Sequence, residues 1–428
     1  MQTILVTGAT GYIGNKLIPR LLDAGYRVRC LARQPGRLRY RPWFAHVETF
    51  PGDVTRPETL PAAMEGVSAA YYLIHSMAVG HGYDRVDLES ARNFARAAKK
   101  AGVEHIIYLG GLADERDNLA LHLRSRIESG AALREAGVPV TEFRAGIIAG
   151  PGSVSFEMIR FIAEQFPLMV GPAWLRHKSQ PIAAQNVLDY LLAALTTPAC
   201  RGKIIGLGCD ETFTYIDVMH EYARIRGLKR VSLLLPAVPV WVMAYLISFL
   251  TPVQLSYALP LVEGLKNDSL VLDRTPLGLF PDIQLIGCAE SVRRSLAALH
   301  PDTVERTWLD LDQDSVQVKH EGFLADYRRA LLAIPAADAL QKAEKSLGEK
   351  RWPVAYRPET ARDGFLRLQA DSTIPGECWL ELQATPQPNG CLFEQTIFFA
   401  PKGLPGFLFW NLLKPFHKKL FAKLINPS

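Results

Sequence analysis

The chain has 428 residues, of which 48% are hydrophobic and 21% are charged, and its formal net charge is +5. This length predicts more than one domain with a sizeable core, and the mild, dispersed charge argues against a nucleic-acid partner. Six scattered cysteines form no C-x-x-C pair, so they indicate neither a metal site nor a disulfide framework. A first strand predicted from about residue 3 leaves no room for a signal peptide, and a cytoplasmic location is expected.

The most informative segment is the strand Ile4–Thr7 with the glycine-rich turn that follows it. Glycines allow a tight turn and a close approach to a pyrophosphate, which binds the amide groups at a helix N-terminus. Because the turn lies between a strand and a helical pattern, a dinucleotide-binding loop is preferred to a purely structural turn. The residues expected to contact the cofactor here are Gly8, Thr10, Gly11, Tyr12, Ile13 and Gly14.

The second predicted strand, Arg27–Ala32, is followed by Arg33 instead of an acidic residue. An acid at this position would bind the ribose 2′-hydroxyl of NAD, whereas a cation suits the 2′-phosphate of NADP. Arg37 and Arg39 follow closely. The pattern therefore favours NADP over NAD, and the alternative is a solvated basic loop.

The glycine spacing Gly-x-x-Gly-x-x-Gly, with Thr7 and Ala9-Thr10, resembles the extended and atypical branches of the short-chain dehydrogenase/reductase superfamily. The resemblance implies that Asp53, with Val54 beside it, contacts the adenine of the cofactor. Asp53 could equally cap a helix that begins near Pro57.

Strand and helix patterns alternate to about residue 150, which predicts α/β architecture: a doubly wound, parallel Rossmann sheet. A less regular region follows from Pro151, and the resemblance implies that residues 151–300 form a substrate lobe. The first domain is thus expected to span residues 1–300. The predicted strands are Ile4–Thr7, Arg27–Ala32, Ala45–Pro51, Ala69–Ile74, Ile106–Leu109 and Thr141–Ile148, and the predicted helices include Leu88–Ala101 and Leu119–Ala136.

The catalytic signature of the resembled superfamily, Tyr-x-x-x-Lys on one helix, is missing. Its tyrosine donates a proton as hydride arrives. Here the same i, i+4 spacing is occupied by His122 and Arg126, the candidate catalytic pair. Arg126 could still bind the nicotinamide ribose. His122 is either a proton donor or a residue that hydrogen-bonds the cofactor or backbone without proton transfer, and the neighbouring cation disfavours its charged form.

His75 lies at the end of the fourth predicted strand, where ligands bind in such sheets. The resemblance implies that this turn passes near the cofactor ribose and nicotinamide. The competing interpretation is a loop histidine satisfied by its own surroundings.

Residues 231–262 contain no charged side chain. A membrane-spanning helix needs roughly 20 uninterrupted apolar residues, and prolines at 236, 239, 252 and 260 break this stretch. A buried pair of helices in the substrate lobe is preferred to an apolar pocket wall or a membrane-surface patch.

From about residue 303 the pattern changes. Ser315–Glu321 is predicted as a strand, Phe323–Leu332 as a helix, and a final helix is expected from about Leu404 to Ile425. Three alternating segments, Gly364–Gln369, Glu377–Ala384 and Cys391–Phe399, are predicted as strands. An antiparallel sheet closed by a long helix resembles the α+β START-like helix-grip fold. Residues 303–428 also resemble the uncharacterised domain appended to some bacterial short-chain dehydrogenase-like proteins.

Two functions follow as hypotheses. The first is an NADP-dependent oxidoreductase acting on a small apolar substrate, for which the quinone reductases of the NmrA-like branch are a model, since quinones accept hydride without an obligatory protein acid. The second is a non-catalytic, dinucleotide-bound redox sensor, assembly factor or lipid-binding scaffold. Peripheral contact with the inner face of a membrane is compatible with both.

Overall fold

The computed structural model describes residues 2–77, 80, 82–306, 308–309, 313–349, 354–371 and 374–425. Contacts divide the chain into two units. The first contains Met1–Ile159, Val170–Ile225 and Ser232–Arg294, and the second contains Arg160–Met169, Arg226–Val231 and Ser295–Ser428. Two short segments of the N-terminal region therefore pack with the C-terminal residues, which no pattern in the sequence indicated.

Up to residue 297 the chain forms both strands and α-helices. The strands are β1 (Thr3–Thr7), β2 (Arg27–Ala32), β3 (Glu48–Pro51), β4 (Ala69–Tyr72), β5 (His105–Gly111), β6 (Val140–Ala145), β7 (Ile148–Ala149), β8 (Leu168–Pro172), β9 (Lys178–Ser179), β10 (Ile182–Ala183), β11 (Ile204–Leu207), β12 (Phe213–Thr214) and β13 (Val231–Leu235). The helices are α1 (Tyr12–Asp23), α2 (Pro61–Met64), α3 (Tyr83–Lys100), α4 (Leu121–Arg134), α5 (Val154–Gln165), α6 (Ala184–Ala193), α7 (Tyr215–Arg226), α8 (Val240–Leu250), α9 (Leu255–Gly264) and α10 (Cys288–Ala297).

The first unit is built on a seven-stranded parallel sheet in the order β11-β6-β5-β4-β1-β2-β3. The predicted parallel, doubly wound α/β sheet is confirmed. All five residues of β1 are buried, as expected for a central parallel strand covered on both faces. The strand order reverses between β1 and β4, and ligands bind at the carboxyl ends of strands at such a switch point.

Side chains of β1 alternate between two cores. Ile4 and Val6 pack with Leu17 of α1 in one cluster. Leu5 packs with Tyr72 and Phe94 in the cluster on the opposite face. Helices therefore cover both faces of the sheet, and the loops at its carboxyl edge remain available for a ligand.

The elements of the second unit after residue 297 are β14 (Ser315–His320), β15 (Phe323–Leu332), α11 (Ala336–Glu349), β16 (Tyr356–Arg362), β17 (Phe365–Ala370), β18 (Gly376–Gln387), β19 (Gly390–Pro401) and α12 (Gly403–Ile425). The strands form a six-stranded antiparallel sheet in the order β14-β15-β19-β18-β17-β16. Apolar side chains of this sheet pack against α12, where the rings of Phe399 and Trp410 stack with centroids 5.8 Å apart.

The helix predicted over Phe323–Leu332 is wrong, because these residues form β15. The two residues before it, Glu321 and Gly322, have φ angles of 50° and 87° and connect β14 to β15 as a tight hairpin. Left-handed angles at both central residues characterise the turn that suits twisted antiparallel strands. β15 is then hydrogen-bonded on both edges, by β14 and β19, and these long-range pairings override the helical spacing of its apolar residues.

Candidate functional site

The turn between β1 and α1 has the geometry of a phosphate-binding loop. Gly8 has a φ angle of +71°, and a Cβ atom there would lie 2.5 Å from the carbonyl oxygen of Leu73. A Cβ atom on Gly14 would lie 2.3 Å from the carbonyl oxygen of Gly8. Only glycine fits at either position. The loop therefore folds closely on itself and on the chain that follows β4, and leaves its outer side open.

Helix α1 begins beyond Gly11, and none of the side chains that the structure describes caps its N-terminus. Uncapped amide groups in the first turn of a helix attract an anion. Thr10 and Gly11 are exposed, and Tyr12 and Ile13 are half-buried. Thr7 fixes the loop at the switch point, because its hydroxyl donates to the carbonyl of Tyr71 (2.9 Å) and accepts from the amide of Leu73 (3.1 Å). The residues present thus fit a dinucleotide pyrophosphate.

Arg33 is exposed immediately beyond β2. Within the described residues its guanidinium makes no ion pair, so its charge is available to a ligand. Arg37 is also exposed, whereas Arg39 bonds the Tyr40 hydroxyl at 2.7 Å and lies over that ring. Of the three arginines, Arg33 adjoins the strand end most directly.

Asp53 and Val54 are held by local hydrogen bonds. One carboxylate oxygen of Asp53 accepts from the amide (2.9 Å) and the hydroxyl (2.8 Å) of Thr55. The carbonyl of Val54 accepts from the side-chain amide of Asn93 at 3.1 Å. Capping of a helix near Pro57, the alternative to a cofactor contact, is not observed, because that short helix begins after Arg56 and none of the described side chains caps it. The Asp53 carboxylate instead fixes its own turn.

Asp87 of α3 joins the turn after β4 to helix α4. Its carboxylate accepts from the Ser76 amide at 2.8 Å and the Ser125 hydroxyl at 3.3 Å, and lies 3.4 Å from Nδ1 of His75. Burial opposes its charge, yet the bonds from His75 and Ser76 lower the pKa of Asp87. Burial and the nearby Arg126 charge lower the pKa of His75. His75 is therefore a positioned, neutral ring with a carboxylate partner. Sequence reasoning missed Asp87, which only the fold brings to this turn.

Arg126 lies beside the end of β5. Its guanidinium donates a short hydrogen bond to the carbonyl of Leu109 and lies 5.4 Å from the ring centroid of Tyr108. The Tyr108 hydroxyl donates to the carbonyl of Arg126 at 2.8 Å. The side chain is half-buried, and four N–H donors of the guanidinium remain beyond the bond to Leu109. Arg126 thus brings a fixed positive charge to the place where the resembled superfamily has lysine.

His122 is buried, and the structure argues against its role as a proton donor. Burial lowers the pKa of His122 to about 3, with further lowering by His75 and Arg126. The ring is therefore neutral at pH 7 and cannot act as a general acid there. Its ring packs on Gly264 of α9, where a Cβ atom would lie 2.0 Å from Cε1 of His122. Among the described residues, Nδ1 of His122 has no hydrogen-bond partner. The alternative, that His122 hydrogen-bonds the cofactor or backbone without proton transfer, stays a prediction.

A second buried polar group belongs to this neighbourhood. The hydroxyl of Tyr72, at the end of β4, is buried and unpartnered within the described part of the chain. Its ring lies between those of Phe94 and Tyr108, with centroids 5.0 and 5.9 Å away. Burial raises the pKa of Tyr72 well above its usual range, so the phenol stays protonated. Tyr72 is a residue that sequence reasoning did not single out.

The uncharged stretch is only partly buried, contrary to the expected buried helix pair. Helix α9 packs on α4, but α8 buries only Ala244 and Ile247. Trp241, Tyr245 and Phe249 are 61%, 59% and 80% exposed. Among the described elements α8 packs mainly on α9, and side chains on its other side are exposed. No helix in the described residues has the length and apolar content needed to cross a bilayer.

The parallel sheet, the glycine loop and the uncapped amide groups at the N-terminus of α1 define the first unit as a Rossmann-type dinucleotide-binding domain. Residues 8–138 match the NAD(P)H-binding family model, so this region is an NAD(P)-binding domain. Residues 302–424 match the family described as a protein of unknown function, DUF2867. Within the described residues no group of three or more His, Cys, Asp or Glu side chains could hold a metal ion.

Curated relatives align with about half of this chain. The photosystem II assembly factor Ycf39 of Cyanophora paradoxa is 25% identical over 232 residues, which are 53% of this chain and 69% of that protein. The ceramide reductase of Caulobacter vibrioides is 27% identical over 243 residues, which are 54% of this chain and 73% of that protein. The chain is thus similar both to reductases and to an assembly factor.

Solved structures share the fold of the first unit. The Citrobacter sp. triphenylmethane reductase complexed with NADP(H) superposes with a TM-score of 0.56 at 20% identity, over 68% of this chain and 99% of that chain. The Escherichia coli quinone oxidoreductase QOR2 complexed with NADPH gives a TM-score of 0.53 at 21% identity, over 68% and 99%. At these identities the likeness establishes the fold.

Proposed function

We propose that the protein is an NADP-dependent oxidoreductase that delivers hydride to an apolar acceptor of the quinone type. The observation that carries the proposal is the glycine loop at the switch point together with Arg33 at the end of β2. Among the described residues Arg33 forms no ion pair. A guanidinium there complements the 2′-phosphate by charge and by its forked donors. NADPH complexes of two proteins with the same fold support this choice of cofactor.

The chain's own residues suit an acceptor that needs no protein acid. When bound, the dinucleotide supplies a hydride, that is, one proton with two electrons. His122 is neutral at pH 7 and Tyr72 keeps its proton, so neither acts as a ready acid. Arg126 contributes a fixed positive charge, which stabilises negative charge that develops on a nearby oxygen. A quinone fits because hydride transfer gives a hydroquinone anion, and water then supplies the second proton.

The neighbourhood of the site favours an apolar substrate. Helix α9 packs on α4 through Gly264 and His122, and the uncharged helix α8 packs on α9. The similarity to a ceramide reductase and the shared fold with a quinone oxidoreductase support the same substrate class. Peripheral contact with the inner face of a membrane, from the cytoplasmic side, is part of the proposal because such substrates partition into lipid.

A non-catalytic, dinucleotide-bound scaffold is the second candidate. The observation in its favour is that His122 cannot act as an acid at neutral pH and that Arg126 is already bonded to the Leu109 carbonyl. The similarity to an assembly factor supports it as well. For the second unit we propose a START-like helix grip, because α12 lies along an antiparallel sheet.

Steady-state oxidation of NADPH distinguishes the two candidates. The protein is mixed with NADPH and either menadione or a simple ketone, and absorbance at 340 nm is followed. We expect turnover with the quinone and none with the ketone. Binding of NADPH without oxidation by any quinone supports the scaffold instead. Arg126→Gln removes the charge but keeps hydrogen-bond donors, and we expect a lower kcat with the quinone.

A further inference from the structure

Helix α12 has an outer face that the described residues of the second unit leave exposed. Its inner side chains pack on the sheet, with Phe407, Trp410 and Leu420 among the buried ones. Leu408, Leu412 and Phe416 are instead 54%, 73% and 50% exposed. Residues four apart lie one above the other on a helix, so these three form one apolar stripe. Lys419 lies on this stripe, and the exposed Lys414 and Lys418 lie to one side of it. We call the stripe, together with these three lysines, the α12 outer face.

The same helix is strongly basic. Between residues 395 and 425 there are five lysines and no Asp or Glu. Lys414, Lys418 and Lys419 are exposed, and among the described residues none of them forms an ion pair. The Lys419 ammonium lies 5.5 Å from the ring centroid of Phe416, so cation and apolar surface adjoin. The positive charge of this face is therefore not neutralised by the residues that the structure describes.

We propose that the α12 outer face docks the protein on an anionic phospholipid surface. A helix that combines exposed Leu and Phe with lysines lies in the interface of a bilayer, with its apolar side chains among the acyl chains and its ammonium groups at the headgroups. Negative lipids attract such lysines. Two other partners fit this face less well. A second copy of the chain would bring lysines against lysines, and a nucleic acid would leave the apolar stripe exposed to water.

This docking specifies the peripheral membrane contact of the proposed function, and it does not depend on hydride transfer. Within the described residues no helix is long and apolar enough to span a membrane. The residues involved belong to the second unit, whereas the glycine loop and Arg33 belong to the first. Lipid binding and NADPH binding can therefore succeed or fail separately, and each is measured by its own assay.

The test is cosedimentation of the full chain with vesicles of phosphatidylcholine alone or with roughly 30% phosphatidylglycerol, a fraction chosen to give an anionic surface. The apolar variant is Leu408→Ser/Leu412→Ser/Phe416→Ser, and the charge variant is Lys414→Gln/Lys418→Gln/Lys419→Gln. The matched control for charge is Lys99→Gln/Lys100→Gln/Lys266→Gln, which removes three exposed lysines of the first unit. The control for apolar exposure is Leu331→Ser, at a side chain that is 76% exposed.

We expect binding to anionic vesicles only, weakened by salt and kept by both controls. The charge variant should lose roughly 100-fold in partitioning, from the contribution of each lysine near a charged surface. The apolar variant should bind weakly and lose its resistance to salt. An unchanged melting temperature shows that the variants fold. No vesicle binding by the unmodified protein, or equal binding by all variants, overturns the proposal. A dimer in sedimentation velocity that the apolar variant abolishes, without vesicle binding, assigns the face to a second copy and also overturns it.

Discussion

Replacing Arg33 by aspartate should reverse the choice of cofactor. Arg33 is exposed at the carboxyl end of β2 and makes no ion pair within the described residues, so its loss disturbs no packing. A hydrogen bond to a charged group contributes about 1.5–3 kcal/mol, and exposure favours the lower value. The new carboxylate also repels the 2′-phosphate, by about 1 kcal/mol in a solvent-exposed setting. NADPH should then bind roughly 30- to 100-fold more weakly, since 1.4 kcal/mol is tenfold.

Isothermal titration of NADPH and NADH into both proteins measures this effect. The unmodified protein should prefer NADPH, and Arg33→Asp should bind NADH as well as or better than before, because a carboxylate accepts from the ribose 2′-hydroxyl. Arg27→Asp is the control, since Arg27 is exposed at the other end of the same strand. Equal affinities of the unmodified protein for the two cofactors would refute the assignment of Arg33. So would an Arg27→Asp effect as large as that of Arg33→Asp.

Three further predictions concern the loop and the buried histidine. Gly14→Ala places a Cβ atom 2.3 Å from the carbonyl oxygen of Gly8 and should abolish NADPH binding in calorimetry, whereas Gly36→Ala, with open space around it, should not. Gly264→Ala forces a Cβ atom against His122 and should lower the free energy of unfolding, measured in urea, by about 1–3 kcal/mol. The double variant Gly264→Ala/His122→Ala should recover part of this loss, because the smaller side chain removes the clash. If the losses of the two single variants simply add in the double variant, the contact is contradicted. Because burial lowers the pKa of His122 to about 3, the unfolded chain binds one more proton than the folded chain between pH 6.5 and 3. The free energy of unfolding therefore decreases as the pH is lowered through this range, by up to about 1.4 kcal/mol per pH unit. His122→Gln should flatten that slope in urea titrations at several pH values, and an unchanged slope would show that another group causes it.

The sequence was sufficient where the signal is local. The glycine loop could be predicted because local geometry requires its glycines. Gly11 and Gly14 lie close to the carbonyl oxygen of Gly8, and Gly8 has a positive φ angle. The parallel sheet follows from apolar runs such as β1 alternating with amphipathic helices. Arg33 could also be placed, since the end of a strand in this fold is a fixed position.

The sequence was insufficient where distant segments decide. Phe323–Leu332 has apolar residues that suit a helix, but β14 and β19 pair with both of its edges. Asp87 lies in the second turn of α3, and its role depends on Ser76 and His75, which the fold brings close to its carboxylate. The exposure of Trp241 on α8 depends on which other elements pack against that helix, and this packing cannot be predicted from the composition of the segment.

The same limit applies to the chemistry of His122. Its spacing from Arg126 marked the pair as the counterpart of a catalytic pair, and the adjacent cation already argued against a charged ring. The depth of its burial and its packing on Gly264 come only from the fold, and they set its pKa at about 3. Electrostatics near a site is therefore predictable in sign from sequence, while its magnitude requires the structure.

The central claim is that this chain transfers hydride from NADPH to an apolar acceptor without a protein acid. The most direct measurement is anaerobic single-turnover mixing of the NADPH-loaded protein with menadione, followed at 340 nm across pH 5–9. We expect loss of NADPH absorbance at a rate that is the same in the unmodified protein and in the His122→Gln variant at every pH in this range. Stable NADPH absorbance in the presence of the quinone, with NADPH shown to be bound, would contradict it.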